Sequence, residues 1–139
     1  MSRWWLRDAT MSTILVVDDD PGTRSLLRFI LETDGHAVVE AAHGRAALDI
    51  IGPNSLPDLV ITDLMMPVLN GVQLIELLLS EPRTALIPIV VVSGNPEAAR
   101  ALHTSGRVEA VVRKPFDAIA LTECIRTVAS KPMRSARVA

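Results

Sequence analysis

Between about residue 13 and residue 129, short apolar runs alternate with longer stretches whose apolar residues fall at helical spacing. The β-branched runs are "ILVV" (14–17), "AVVEA" (37–41), "DLVIT" (58–62), "IPIVVV" (87–92) and "EAVV" (109–112). Leu27, Ile30 and Leu31 share one face of a first helix, and Ala47, Leu48 and Ile51 one face of a second. Val72, Ile75, Leu78 and Leu79 mark a third, the Ala-rich segment 96–104 a weaker fourth, and Leu121, Ile125 and Val128 a fifth. Turn and cap residues fall where these segments meet. Asp34-Gly35 and Gly52-Pro53 close the first two helices, Asn70-Gly71 opens the third, and Asp117 is placed to cap the fifth. The first, third and fourth runs are almost wholly apolar, as strands buried on both faces must be. Five such βα units predict an α/β sandwich around a parallel sheet.

Two ends lie outside the alternation. Residues 1–12 contain Trp4 and Trp5 without any periodicity, and Met11-Ser12 reads as a second start. The expected organisation is an N-terminal extension over 1–12, one domain over 13–129, and a basic, frayed tail over 130–139. Trp4-Trp5 is a candidate docking peptide.

Composition narrows the function. A formal net charge of −2 gives no general electrostatic footprint for nucleic acid or an anionic membrane. No apolar run approaches the roughly 20 residues of a membrane span. Arg3, Arg7 and Asp8 make the N-terminus unlike a signal peptide, and a single cysteine, Cys124, rules out a disulfide framework. A cytoplasmic location is expected. Cys124 reads as a small hydrophobe on the last helix. His36, His43 and His103 stand apart, beside turns or helix ends, and read as surface residues.

The chemistry lies at the strand ends. The first strand ends at Asp18-Asp19-Asp20, the third at Asp63, the fourth at Ser93-Gly94 and the fifth at Arg113-Lys114-Pro115. A parallel sheet brings these ends to one rim, where such sheets bind ligands. The second strand ends at Glu40 to His43 and is expected to stand outside the site. Two carboxylates about 4 Å apart repel by roughly 4 kcal/mol at an effective dielectric of 20. A hard divalent cation relieves that repulsion. Mg²⁺ takes oxygen ligands and few carboxylates, and no His/Cys cluster offers a softer site. A carboxylate surrounded by metal, ammonium and hydroxyl is a plausible phosphoryl-transfer site.

The segments "ILVVDDDP", "PDLVITDLMMPVLNG", "VVVSG" and "RKPF", in this order after successive strands, resemble the receiver domain of two-component response regulators, the CheY-like superfamily. The resemblance covers about residues 13–129. It implies a doubly wound, flavodoxin-like fold with strand order 2-1-3-4-5 and five helices, and Mg²⁺-dependent phosphorylation of one aspartate. By that resemblance Asp63 is the phosphoacceptor. Asp19 binds Mg²⁺ directly, Asp18 acts mainly through a bound water, and the backbone carbonyl of Met65 is a further ligand. Asp20 faces solvent or caps the first helix. Ser93 bonds a phosphoryl oxygen, Lys114 contacts the phosphoryl group, and the bond to Pro115 is cis. Val111 stands where the family's switch aromatic is expected, so phosphorylation is better supported than the usual output on the face formed by helix 4, strand 5 and helix 5.

The implied partners are a sensor histidine kinase or a histidine phosphotransfer protein and a downstream target protein, with no direct contact to nucleic acid or membrane, the chain being a monomer or weak dimer. The expected unit is a stand-alone receiver that assists its own modification but turns over no independent substrate. Two alternatives stand beside this. One is a binding module that works without phosphorylation. The other is a haloacid-dehalogenase-like phosphatase using Asp18 and Asp20, for which the chain lacks a cap region and a late acidic pair.

Overall fold

The three almost wholly apolar runs become the centre of the sheet. In a computed structural model describing residues 12–130, β1 (Thr13–Val17), β3 (Leu59–Thr62) and β4 (Ile89–Ser93) are buried almost throughout. The edge strands β2 (Ala37–Ala41) and β5 (Ala110–Arg113) are only partly covered. All neighbours pair in parallel, in the order β2-β1-β3-β4-β5. Five helices connect them: α1 (Pro21–Thr33), α2 (Gly44–Ile50), α3 (Gly71–Ser80), α4 (Pro96–Thr104) and α5 (Ala118–Ser130). The expected extension, the Trp4-Trp5 pair and the tail beyond residue 130 lie outside the described residues.

Successive strand residues point to opposite faces, so the sheet has two cores. Leu15, Val17, Val60, Ile89 and Val91 pack with Ala47, Leu74, Leu78 and Leu102 from α2, α3 and α4. Ile14, Val16, Ile61, Val90 and Val92 pack with Leu27, Leu31, Leu121 and Ile125 from α1 and α5. This is the doubly wound, flavodoxin-like arrangement of the CheY-like proteins, with helices covering both faces.

Local chemistry sets the helix ends. Asp20 caps α1 by accepting from the Thr23 amide, and Pro21 occupies its first turn. Asn70 and Gln73 form a reciprocal capping box at α3. The Asp117 carboxylate accepts from the Ile119 amide at the start of α5 (3.0 Å).

The surface assignment of His36 is wrong. His36 is 4% exposed. It lies in the turn before β2, where its Nδ1 accepts from the Ser12 amide (3.2 Å) and its Nε2 lies 3.7 Å from an Asp34 carboxylate oxygen. The edge pairing of Ser12 with the start of β2 folds over the ring. His43 is half-buried and caps α2 through Nδ1, and His103 is exposed at the end of α4.

Candidate functional site

Sheet register brings the site together. Val17 pairs with Thr62, so the next residue on each strand, Asp18 and Asp63, emerge side by side. The Asp63 amide donates to the Val17 carbonyl (3.0 Å), which extends that pairing one residue past the strand. On the other flank Ser93 pairs with Arg113, and the Lys114 amide donates to the Ser93 carbonyl (3.0 Å). The backbone therefore delivers two carboxylates from β1 and β3 and one ammonium from β5 to the same rim.

Lys114 joins them. Its Nζ donates to Asp18 Oδ2 at 2.8 Å and to Asp63 Oδ2 at 3.1 Å. Asp18 and Asp63 are buried, and Asp19 is exposed above them. Burial opposes the charge on Lys114, but its hydrogen bonds to Asp18 and Asp63 outweigh that and hold its pKa above the usual lysine value. Each of Asp18, Asp19 and Asp63 offers a carboxylate oxygen within 4.8 Å of the others. Three carboxylates against one ammonium leave a formal charge of −3 + 1 = −2.

That deficit and the donor type fit Mg²⁺. All donors are hard oxygens, and two oxygens on opposite sides of an ion with bonds of 2.0–2.1 Å sit about 4.2 Å apart. The carboxylate oxygens of Asp18, Asp19 and Asp63, all within 4.8 Å of one another, lie close to that span. Asp20 does not join the cluster. It accepts from the Thr23 amide and hydroxyl (3.0 and 2.6 Å), and these bonds lower its pKa. The acid required by the phosphatase alternative is therefore committed to a helix cap.

The second oxygen of Asp63 is held by its own loop, accepting from the amides of Leu64 (2.7 Å) and Met65 (3.4 Å). The Met65 side chain is exposed. Ser93 is buried at the end of β4, and its hydroxyl accepts from the Asn95 amide (3.0 Å), which leaves its proton for another acceptor. The Lys114–Pro115 peptide bond is cis. Val111 is half-buried and packs against the core on the α2–α4 side.

Several supporting residues carried no recognisable signal in the sequence. The Arg24 guanidinium donates to the Asp18 carbonyl (2.7 Å) and pairs with Glu40 on β2 (3.1 Å). Thr62 is buried and donates its hydroxyl to the Asp63 carbonyl (2.8 Å). Gly71 read only as helix punctuation, yet a Cβ there would lie 2.0 Å from the Asp63 carbonyl oxygen. A Cβ on Gly44 would lie 2.6 Å from the Leu69 carbonyl oxygen, to which the Gly44 amide donates. These two glycines clamp both ends of the β3–α3 loop. Between them Val68 adopts φ +69°, with the Leu69 amide donating to the Pro67 carbonyl (2.8 Å). That is the rare γ-turn, a conformation costing about 1–3 kcal/mol in a non-glycine residue.

Comparison with known proteins agrees with this geometry. Residues 14–126 match the response regulator receiver domain family. An uncharacterised 14.6 kDa protein of Leptolyngbya boryana is 35% identical over 115 residues, covering 81% of this chain and 86% of that protein. The sensor histidine kinase TmoS of Ectopseudomonas mendocina is 40% identical over 106 residues, covering 76% of this chain but 11% of that protein. This chain thus spans most of the first relative and about a tenth of the second. A crystal structure of a putative response regulator from Chloroflexus aurantiacus superposes with a TM-score of 0.79 at 30% identity, over 86% of this chain and 98% of that one. The chain belongs to the response regulator receiver domain family of two-component signalling.

Proposed function

We propose that this receiver accepts a phosphoryl group on Asp63 from a phosphohistidine of a sensor histidine kinase or histidine phosphotransfer protein. The observation that carries this is the Lys114 ammonium, bonded to both Asp18 and Asp63 in a cluster that remains two positive charges short. Asp18, Asp19, Asp63 and the Met65 carbonyl would hold Mg²⁺. When bound, the ion withdraws charge from the phosphoryl oxygens.

The chain's own residues do the rest. The buried Asp63 carboxylate is fixed at one oxygen by the Leu64 and Met65 amides, and the other oxygen, Oδ2, lies at the rim beside Lys114. Oδ2 attacks phosphorus in line. The new O–P bond forms as the P–N bond breaks, and the electron pair returns to the donor imidazole. Lys114 then shifts its hydrogen bonds from Asp63 to the phosphoryl oxygens, and the Ser93 hydroxyl donates the proton that the Asn95 contact leaves free. The product is an acyl phosphate that water later hydrolyses, so the domain is a carrier and turns over no independent substrate.

The consequence is a change in protein–protein contacts. Moving a 1:99 population to 99:1 takes about 5.5 kcal/mol of differential stabilisation. With valine at position 111, that difference has to come from the Ser93 side and the clamped β3–α3 loop rather than from an aromatic rotamer. None of the described helices is long and apolar enough to cross a membrane.

The test is intact mass after incubation with acetyl phosphate and Mg²⁺. Wild type should gain one acid-stable, base-labile phosphoryl group, and Asp63→Asn should gain none. A phosphoryl group retained by Asp63→Asn, or none on wild type while Mg²⁺ binds, overturns the assignment. In the second case a binding module independent of phosphorylation takes its place.

A further inference from the structure

Asp19 makes no hydrogen bond or ion pair among the described residues, although one of its carboxylate oxygens lies within 4.8 Å of those of Asp18 and Asp63. It is exposed, on the turn from β1 into α1. No contact of its own holds it over the rim, so its position is inherited from the residues on either side. Both of these are held. The Asp18 amide donates to the Ala41 carbonyl (3.2 Å), and the Asp18 carboxylate accepts one bond at each oxygen, from the Asp20 amide (2.9 Å) and from Lys114 (2.8 Å). Asp20 is committed to the cap of α1.

A single residue grips both neighbours. The Arg24 main-chain amide donates to the Asp20 carbonyl (3.0 Å), and its guanidinium Nη1 donates to the Asp18 carbonyl (2.7 Å). That carbonyl lies in one peptide plane with the Asp19 amide and Cα, so fixing the oxygen fixes the direction in which the chain leaves Asp18. The guanidinium is itself anchored. Its Nε donates to Glu40 on β2 (3.1 Å), whose other oxygen accepts from Arg28 (2.5 Å). A planar fork can serve two acceptors in fixed directions, which the point charge of a lysine cannot do.

The geometry points to Arg24 as the positioning residue for Asp19: it holds the β1–α1 turn so that this carboxylate meets a divalent cation at the rim. This role rests on the reading of the rim as a Mg²⁺ site. It runs against the sign of the arginine's own charge. A guanidinium beside a cation site repels the incoming ion, so a role through charge alone predicts tighter Mg²⁺ binding once Arg24 is removed. Positioning predicts weaker binding.

Calorimetric titration of the full 139-residue chain with Mg²⁺ separates these signs, with circular dichroism as the check on folding. Arg24→Met should raise the dissociation constant about 10–100-fold, the usual range for a residue that orients a metal ligand. Arg24→Lys keeps the charge without the fork and should raise it by a smaller factor. Arg28→Met removes two ion pairs of the same network but no contact to Asp18, and should bind Mg²⁺ as wild type does. A second measurement needs no metal. In chelator, the Asp19 and Asp20 amide resonances should move in Arg24→Met and Arg24→Lys and stay in place in Arg28→Met. Equal or tighter Mg²⁺ binding by Arg24→Met overturns the proposal, as does Mg²⁺ binding weakened equally by Arg28→Met; either result leaves the Mg²⁺ site itself standing. Wild type that takes up no Mg²⁺ removes the site, and the positioning role with it. Should Arg24→Met not fold, Arg24→Lys decides by the same two measurements.

Discussion

At the carboxyl rim of the sheet, three carboxylates share one ammonium. At the opposite edge, beside the start of β2, one carboxylate serves one guanidinium and one imidazole. The two clusters use similar parts. Each ties elements far apart in sequence, β1, β3 and β5 at the rim and the α1–β2 turn to α5 at the edge. They differ in balance. Asp34 and Arg126 cancel, and burial keeps the His36 pKa below its usual value and so favours the neutral ring. A third group, Arg24 and Arg28 with Glu40 and Glu32, is balanced as well, two charges of each sign. Of these three groups, the rim alone remains at −2. A balanced cluster is complete and acts as a joint. An unbalanced, partly buried cluster gains stability from a further cation, so the excess charge at the rim fits a cation site.

Removing the single rim cation should break this contrast most visibly. Lys114→Ala leaves Asp18 and Asp63 buried without their shared partner. Breaking a buried pair costs roughly 3–5 kcal/mol, and the partial exposure of Lys114 reduces this to about 2–3 kcal/mol. Urea unfolding in the presence of a chelator measures the loss, and added Mg²⁺ should restore more stability to the variant than it adds to wild type. Arg126→Ala, which removes an exposed pair at the other cluster, should cost at most about 1 kcal/mol and show no response to Mg²⁺. Equal losses in the two variants would mean that the rim is only another structural joint.

The rim was legible in the sequence because its parts sit at strand ends. Periodicity located the strands, a parallel sheet aligns those ends, and Asp18, Asp63 and Lys114 meet for that reason. Hydrophobic patterning likewise predicted the core face of α5 and the buried character of β1, β3 and β4. What escaped notice were residues whose role exists only in three dimensions. Gly71 looked like a helix-start signal, which it is, but its contact with the Asp63 carbonyl depends on how α3 returns to β3. His36 comes after a turn and precedes an edge strand, where no period speaks to burial; Ser12, just before β1, bonds it from elsewhere in the chain. Arg24 sits on the polar face of α1 and reaches a backbone carbonyl that carries no residue-type signature.

A finer change sharpens the same comparison through its sign. Asp19 is exposed, belongs to the acidic cluster and has no cation of its own among the described residues. Two unit charges 4.8 Å apart repel by roughly 1 kcal/mol in a water-like dielectric. Asp19→Asn should therefore stabilise the metal-free protein by up to about that amount and weaken the stabilisation that Mg²⁺ confers on wild type. Chemical denaturation with chelator and with Mg²⁺ gives both numbers. A variant that loses stability in both conditions would show that Asp19 is structural and that the excess charge is not a receptacle.

The smallest effect lies at the balanced edge and appears in pH dependence. The charged groups facing His36 are Asp34, which favours the imidazolium, and Arg126, which opposes it; burial is the largest influence and holds the folded pKa below the usual value. The unfolded chain takes up the proton near pH 6.5, before the folded one does. Stability is then present in full above that pH and falls as pH drops from about 6.5 toward the lower folded pKa, by at most about 1.4 kcal/mol per pH unit. Asp34 is held low by Arg126, so its own loss belongs to a more acidic window, below the ordinary carboxylate range. Thermal unfolding of wild type and His36→Gln between pH 7.5 and 5 separates the two, since only the histidine window should flatten in the variant. An unchanged slope would mean that His36 takes up its proton alike in the folded and unfolded chain, whereas a wild-type slope of the opposite sign, lost in the variant, would mean that His36 carries its proton in the folded protein. The edge cluster would then hold a net positive charge, and its contrast with the rim would be one of sign rather than of balance.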